Sequence, residues 1–121
     1  MKTYIVFDLE ATCVKEYNPD FRNEIIEIGA VKLDHNAEFV QAFDIIVKPK
    51  LNPILTDFCK ELTNIEQTWV DDAVDFPEAS KRFQEWIETD YLLCSWGDYD
   101  RKQLTNDCIL HGLDYTWAQR S

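Results

Sequence analysis

Apolar residues in the first third of the chain follow a β-type pattern. A short apolar run at residues 4–7 ends in acidic residues, and a longer run from Glu24 to Leu33 is rich in isoleucine and valine. Both runs predict strands with substantial burial. A third strand is predicted from Phe39 to Val47, because Pro49 follows it and proline cannot donate to a sheet ladder. The three strands predict a meander.

The rest of the chain shows mainly helical spacing. Beyond Pro53, apolar residues predict a short helix, and residues 63–66 match a capping box for a second one. Pro77 suits the first turn of a third helix that covers the sheet. A fourth strand is predicted over 91–96 and a last helix over 99–111, with Gly112 as its stop. The apolar face of the third helix comprises Ala79, Phe83, Trp86 and Ile87.

Length and composition predict one α/β domain over residues 1–121. The chain has 121 residues, of which 45% are hydrophobic, and shows neither an internal repeat nor a linker. Such a chain forms one core rather than two. It contains no apolar run that could span a bilayer and no signal peptide pattern. We therefore expect a cytoplasmic protein without a membrane partner.

The cysteine spacing and the net charge limit the kinds of functional site that the chain can contain. The four cysteines are scattered without paired spacing, which predicts reduced thiols rather than a zinc or redox site. The net charge of −11 argues against a protein that holds nucleic acid over a broad basic face. This objection is weaker for a metal-dependent nuclease, because bound cations reverse the local charge of a carboxylate site.

Two carboxylates stand at the end of the first predicted strand. Asp8 and Glu10 are two residues apart, so they point to the same face of a strand. Two like charges there either extend into water or share a cation. Because this pair of residues is common, the motif alone leaves both interpretations open.

Four spaced segments together resemble the Eri-type branch of the DEDDh 3′-5′ exonucleases, which includes histone-mRNA 3′-exonucleases and KapD-like bacterial proteins. The resemblance covers essentially the whole chain. The similar segments are FDLEATC at 7–13, EIIEIGAV at 24–31, FC-x-x-LT-x-I-x-Q at 58–67 and CSWGDYDR at 94–101.

The resemblance implies a ribonuclease H-like mixed sheet, a three-strand meander plus a fourth strand, with helices packed on it. It also implies hydrolysis of RNA, with DNA as a second candidate, from a single-stranded or overhanging 3′ end. Two Mg²⁺ or Mn²⁺ ions would assist. By resemblance, Asp8 bridges both ions, Glu10 holds the ion that activates water, and Asp100 holds the second. These three are the expected catalytic and metal-binding residues.

The resemblance also implies a substrate site. Ala11 and Thr12 would lie against the terminal nucleotide, and Leu62, Thr63 and Ile65 would wall its base. Leu62 and Ile65 are equally typical of a core, and Thr63 is equally typical of a helix cap. Asp98 competes with Asp100 for the metal, and we assign Asp98 to capping the last helix.

The family's final motif, a histidine followed five positions later by aspartate, has no match in this sequence. Val40 follows His35 at that spacing, and Thr116 follows His111. We expect His111 to end a helix, where a partly positive imidazole suits the dipole.

The sequence therefore predicts a partial DEDDh domain without its closing segment. We expect it to be inactive or nearly so, because losing a general base costs roughly 10²–10⁴ in rate. An uncovered sheet edge would favour self-association. The alternative is a non-catalytic module that binds RNA ends or a protein.

Overall fold

The computed structural model describes residues 2–120. Its centre is one five-stranded mixed sheet in the order β4-β3-β2-β1-β5. The first three strands form an antiparallel meander, and β5 runs parallel to β1 on its other side. The strands are β1 (Thr3–Ala11), β2 (Ile25–Leu33), β3 (Phe39–Lys48), β4 (Val74–Asp75) and β5 (Tyr91–Cys94).

Four α-helices and one 3₁₀ helix lie within residues 2–120. The α/β class, the meander and the existence of a fourth long strand confirm the sequence-based predictions, while its parallel direction and its end at Cys94 come from the structure. The two-residue strand β4 and the 3₁₀ helix were not predicted, because so few residues carry no periodic pattern. The helices are α1 (Asp57–Thr63), α2 (Gln67–Asp71), α3 (Phe76–Ile87), α4 (Tyr99–Leu110) and the 3₁₀ helix Thr116–Gln119.

The main core lies on one face of the sheet, under α3, α4 and the 3₁₀ helix. Alternate residues of β1 enter it, because side chains of a strand point to opposite faces in turn. The predicted buried face of α3 is confirmed for Ala79, Phe83 and Ile87, while Trp86 is partly buried at its edge and stacks on Phe83. The strand residues in this core include Ile5, Phe7, Leu9, Ile28 and Ala30.

A second, smaller core covers only one end of the opposite face. Helices α1 and α2 pack there through Cys59, Ile65 and Val70. A β-bulge near the start of β2 makes this possible, because it places Ile25 in the main core and Ile26 in the second one. The remainder of this face is not covered by a helix within residues 2–120.

The predicted positions of Pro77 and Gly112 at helix ends are confirmed. Asp75 caps α3 by accepting a hydrogen bond from the Glu78 amide at 3.1 Å, with Pro77 in the first turn. Gly112 follows α4 with a φ of 68°, the left-handed conformation that glycine adopts without strain. The predicted capping box at 63–66 is wrong.

The structure places Thr63 at the C-terminus of α1 instead of at the N-terminus of α2. Its hydroxyl donates to the Cys59 carbonyl at 2.8 Å and accepts from the Ile65 amide at 3.2 Å. The reason is Asn64, which adopts a left-handed conformation (φ 61°) and turns the chain after α1. Glu66 then occupies the N-cap of α2 without a capping hydrogen bond from its side chain.

Two further expectations concern the redox state of the cysteines and self-association through a sheet edge. All four cysteines are free thiols, as predicted. At the outer edge of β5, the Leu93 amide already donates to the Arg120 carbonyl at 2.9 Å. Self-association through a sheet edge stays a prediction. Among residues 2–120, no helix is long and apolar enough to cross a bilayer.

Candidate active site

Strand β1 presents two carboxylates on the open face of the sheet. Phe7 and Leu9 are buried in the main core, so Asp8 and Glu10 point away from it. The strand continues to Ala11, and the acids therefore lie within its last half rather than at its end. The ladder to β5 stops at the pair Val6 and Cys94, which leaves the β1 edge beside Asp8 free for helix α4.

Asp100, in the first turn of α4, reaches this free edge. Its carboxyl group lies beside the Leu9 amide and the Asp8 carboxyl group and interacts with both. The pKa of Asp100 is raised, first by burial and then by the hydrogen bond and the negative charge of Asp8. The structure thus brings the two predicted ligands together from segments that are 92 positions apart in sequence (100 minus 8).

Glu10 completes the group. Its pKa is raised, mainly by burial and further by the negative charges of Asp8 and Asp100. Within residues 2–120, no three His, Cys, Asp or Glu side chains are yet arranged closely enough to hold a metal ion as they stand. The residues nevertheless fit one chemically, because they offer hard carboxylate oxygens whose repulsion a divalent cation relieves.

Two further acids extend this carboxylate group across the open face. Glu27 lies opposite Glu10 in the β1–β2 ladder, and Asp44 lies opposite Gly29 on β3. The pKa of Glu27 rises to about 7 because of burial, a hydrogen bond to Asp44 and the surrounding negative charge. The sequence analysis missed both residues, since only the strand register shows that they adjoin Glu10.

This acid pair predicts that the protein without metal becomes less stable as the pH rises. Because folding raises the Glu27 pKa from 4.5 to about 7, its contribution is fully present below pH 4.5 and is lost as the pH rises through 7. In Asp44→Asn we expect the Glu27 pKa to fall toward its ordinary value. Carboxyl NMR titration measures the pKa, and urea unfolding at several pH values measures the stability.

The matched control is Glu38→Gln, because Glu38 is exposed. Lys32→Gln would not serve, because Lys32 is buried. An ordinary Glu27 pKa in the wild type, unchanged by Asp44→Asn, contradicts the prediction.

Contrary to the prediction, Asp98 does not cap α4. It occupies the N-cap position, but its side chain makes no capping hydrogen bond and is exposed. The reason is its helical backbone conformation (φ −97°, ψ −10°), since a capping side chain needs an extended N-cap residue. Only Asp100 of the two interacts with Asp8.

Thr12, a predicted substrate residue, is buried and hydrogen-bonded to another part of the chain. It is 2% exposed, its hydroxyl accepts from the Glu24 amide at 2.9 Å, and its own amide donates to the Glu24 carbonyl at 2.8 Å. Ala11 is partly exposed beside it, and its carbonyl accepts from the Cys59 thiol at 3.7 Å. Contact of either residue with a nucleotide stays a prediction.

The three residues predicted to contact the base do not all lie at the surface. Leu62 is 63% exposed, whereas Ile65 is 2% exposed in the second core. Thr63 lies partly exposed between them, with its hydroxyl bonded within α1. Their assignment to the substrate stays a prediction, for which Leu62 offers the most accessible surface.

Neither histidine belongs to the carboxylate group. His111 lies at the C-terminus of α4 and stacks on Phe76, with ring centroids 5.3 Å apart. Its pKa is lowered, first by burial and then by the positive charge of Lys50, which opposes the partial positive charge expected at this helix end. Asp100 lies at the opposite end of the helix.

These observations define the class of protein. A mixed sheet carries two acids on β1, between its antiparallel and its parallel neighbour, and a helix that follows the parallel neighbour brings a third acid to them. This is the arrangement of a ribonuclease H-like nuclease, and the solved structures that the chain resembles have the same fold. The chain belongs to the exonuclease family, because the RNase_T exonuclease model matches residues 5–114.

Relatives place the chain in the Eri-type, histone-mRNA 3′-exonuclease branch, as the resemblance implied. Human 3′-5′ exoribonuclease 1 is 36% identical over 119 residues, covering 91% of this chain and 34% of that protein. The nuclease domain of 3′hExo, a DEDDh family member solved with rAMP, has a TM-score of 0.86 at 36% identity, covering 93% of this chain and 61% of that one.

A third comparison concerns a complex. A 3′-exonuclease structure showing 3′-end-specific recognition of a histone mRNA stem-loop has a TM-score of 0.83 at 36% identity, over 93% of this chain and 42% of that one. The chain thus spans about a third of the length of the curated relatives that it matches. Nucleases of the DEDDh family depend on divalent cations.

Proposed function

We propose that this protein is the metal-binding part of a 3′-5′ exonuclease that hydrolyses phosphodiester bonds at RNA 3′ ends. The observation that carries the proposal is the close approach of the Asp8 and Asp100 carboxyl groups, with Glu10 beside them. Crowding three acids, two of them partly buried, costs stability unless a cation shares them. A fold without metal chemistry has no physical need for such a group.

The proposed ligands are Asp8, Glu10 and Asp100, with Mg²⁺ or Mn²⁺ as the ions that suit carboxylate oxygen. When bound, two such ions supply an activated water and stabilise charge on the leaving oxygen. Asp8 interacts with Asp100 and contributes to the raised pKa of Glu10, and by the family resemblance it would contact both ions. Glu10 and Asp100 would each hold one ion, and the Leu9 amide orients Asp100.

For the substrate, we propose a single-stranded or overhanging RNA 3′ end, with DNA as a second candidate. The support is the likeness to 3′-5′ exoribonuclease 1 and to the histone mRNA stem-loop complex. Ala11 and Leu62 offer accessible surface on either side of the second core. With a net charge of −11, most of the attraction for phosphate must come from the bound cations.

The sequence has no histidine followed five positions later by aspartate. This one observation favours a second candidate, a module that binds RNA ends or a protein without cleaving. It is also why we expect the 121-residue chain by itself to be inactive or nearly so. A cytoplasmic location remains part of the proposal.

Calorimetry with Mn²⁺ tests the proposed site. We expect the wild-type chain to bind Mn²⁺ and Asp8→Asn to weaken binding at least tenfold, because one ligand charge is lost from a site of three. A tenfold change corresponds to about 1.4 kcal/mol. Asp72→Asn, an exposed acid at the end of α2, is the matched control and should bind like the wild type. Indistinguishable binding by wild type and Asp8→Asn refutes the metal site.

A further inference from the structure

Helix α4 carries two carboxylates on the face that meets the sheet. Asp100 and Asp107 are seven residues apart, two helical turns, and so share that face. Asp107 accepts a hydrogen bond from the Ile25 amide of β2 at 2.9 Å, and Asp100 lies beside the Leu9 amide of β1. The carboxylates of the helix thus approach the backbone of both strands of the β1–β2 pair.

Asp107 is buried in a fully bonded environment. It is 2% exposed, with Oδ2 accepting from the Ile25 amide at 2.9 Å and Oδ1 accepting from Gln103 Nε2 at 2.6 Å. Burial raises its pKa to about 6, although both hydrogen bonds oppose the rise. An apolar side chain in this place would avoid that cost, so packing alone does not explain an acid here.

Gln103 extends the network toward the end of β1. Its Nε2 also donates to the Asn23 carbonyl at 3.1 Å, and Asn23 Nδ2 donates to the Thr12 carbonyl at 2.5 Å. Thr12 follows Glu10 by two residues. A continuous set of hydrogen bonds therefore joins the strand that carries Asp8 and Glu10 to the helix that carries Asp100.

We propose that Asp107 and Gln103 are positioning residues, which set the placement of Asp100 against Asp8 and Glu10 and thereby the affinity for divalent cations. The inference rests on the proposed metal site. Neither residue touches the ions or the substrate. Their action is to fix how far α4 is translated along, and rotated about, its own axis.

Directional bonds are needed for this task because the apolar contacts of α4 do not fix its register. Leu104 and Cys108 are both fully buried on the same face, but apolar burial is non-directional and tolerates small sliding movements. A metal site is far less tolerant, because ligand oxygens must lie within a few tenths of an ångström of their places. Residues behind the ligands typically influence metal affinity by roughly 10–100-fold.

The test measures Mn²⁺ affinity by calorimetry and Leu9 amide exchange by NMR, on the full chain well below its unfolding temperature. In Asp107→Ala we expect Mn²⁺ binding to weaken by roughly 10–100-fold and the Leu9 amide, which Asp100 protects, to exchange faster. The matched control is Cys108→Ala, a buried truncation one residue along that removes no hydrogen bond to β2. It should leave both quantities essentially unchanged.

A pair of substitutions that exchanges the hydrogen-bond donor and acceptor tests whether Mn²⁺ affinity can be restored. Asp107→Asn keeps the size of the side chain but turns an amide donor toward the Gln103 donor, so it should weaken binding as well. Adding Gln103→Glu restores an acceptor opposite that donor and should recover part of the affinity. These variants also give a result if Asp107→Ala does not fold.

The outcomes separate the two proposals. If the wild-type chain binds Mn²⁺ but Asp107→Ala binds equally well and its Leu9 exchange is unchanged, the positioning role is wrong and the metal site stands. If Cys108→Ala weakens binding as strongly as Asp107→Ala, the effect is general loosening of the helix and the positioning role is again wrong. If the wild-type chain binds no Mn²⁺, the proposed function fails, and Leu9 exchange alone decides whether Asp107 positions Asp100.

Discussion

Extending the chain past Ser121 with a relative's closing segment, carrying the histidine and the aspartate five positions later, should create Mg²⁺-dependent shortening of RNA from its 3′ end. Mononucleotides should be released one at a time. The 121-residue chain should be slower by at least about 10²-fold, because general-base assistance contributes roughly 10²–10⁴ in rate. Gel analysis of end-labelled single-stranded RNA, with and without Mg²⁺, measures the difference.

Asp100→Asn in the extended protein should then lower the trimming rate by roughly 10²-fold or more, because charge on the leaving oxygen loses stabilisation in a preorganised site. RNA binding should fall much less than the trimming rate, because Asp8 and Glu10 would still hold one ion. Asp72→Asn, exposed and outside the carboxylate group, should trim at the parental rate. A folded, extended protein that binds RNA without metal-dependent trimming would establish the binding-module alternative in place of the exonuclease.

Glu24→Ala should destabilise the protein by about 3–5 kcal/mol, since each buried donor left without a partner costs about 1–3 kcal/mol. The Glu24 carboxylate, only 1% exposed, accepts hydrogen bonds from three successive amides. They come from Lys50 at 2.6 Å, Leu51 at 2.8 Å and Asn52 at 3.0 Å. This carboxylate fixes the segment that follows β3 against the start of β2. Urea unfolding measures the free energy.

Two variants bracket this prediction. Glu24→Gln keeps one acceptor oxygen but turns an amide donor toward the backbone donors, so its loss should be smaller than that of Glu24→Ala yet clearly measurable. Glu85→Gln, on the exposed side of α3, should change stability by no more than about 0.5 kcal/mol. Equal stability of Glu24→Ala and Glu85→Gln would mean that water replaces the carboxylate at little cost.

Local pattern predicted most of the fold. The meander, most of the buried face of α3, the end of α4 at Gly112 and the existence of the strand that begins at Tyr91 all agree with the structure. The capping box at Thr63 and the capping role of Asp98 were wrong, because each depends on a single backbone conformation. Asn64 in one case and the helical N-cap residue in the other decided the outcome.

The three acids that form the candidate site were named from the sequence, but their surroundings were not, and their role as metal ligands stays a prediction. The placement of Asp8 and Glu10 on one face follows from the two-residue period of a strand, and Asp100 came from the resemblance. Glu27 and Asp44 were missed although both lie in predicted strands. Their proximity to Glu10 depends on which residues of the three strands pair with each other. The residue pattern within one strand does not by itself specify that pairing.

The sequence by itself therefore determined most of the elements, the buried face of α3 and the placement of Asp8 and Glu10 on one face, because backbone geometry makes these properties local. Only the tertiary structure decided how the acids meet. Asp107 reaches Ile25 across 82 positions of the chain, and Asp100 reaches the Leu9 amide only because β5 ends at Cys94 and leaves that part of β1 unpaired. Contacts of this kind depend on which apolar surfaces are buried together, so they are fixed by the packing of the whole domain rather than by any one segment.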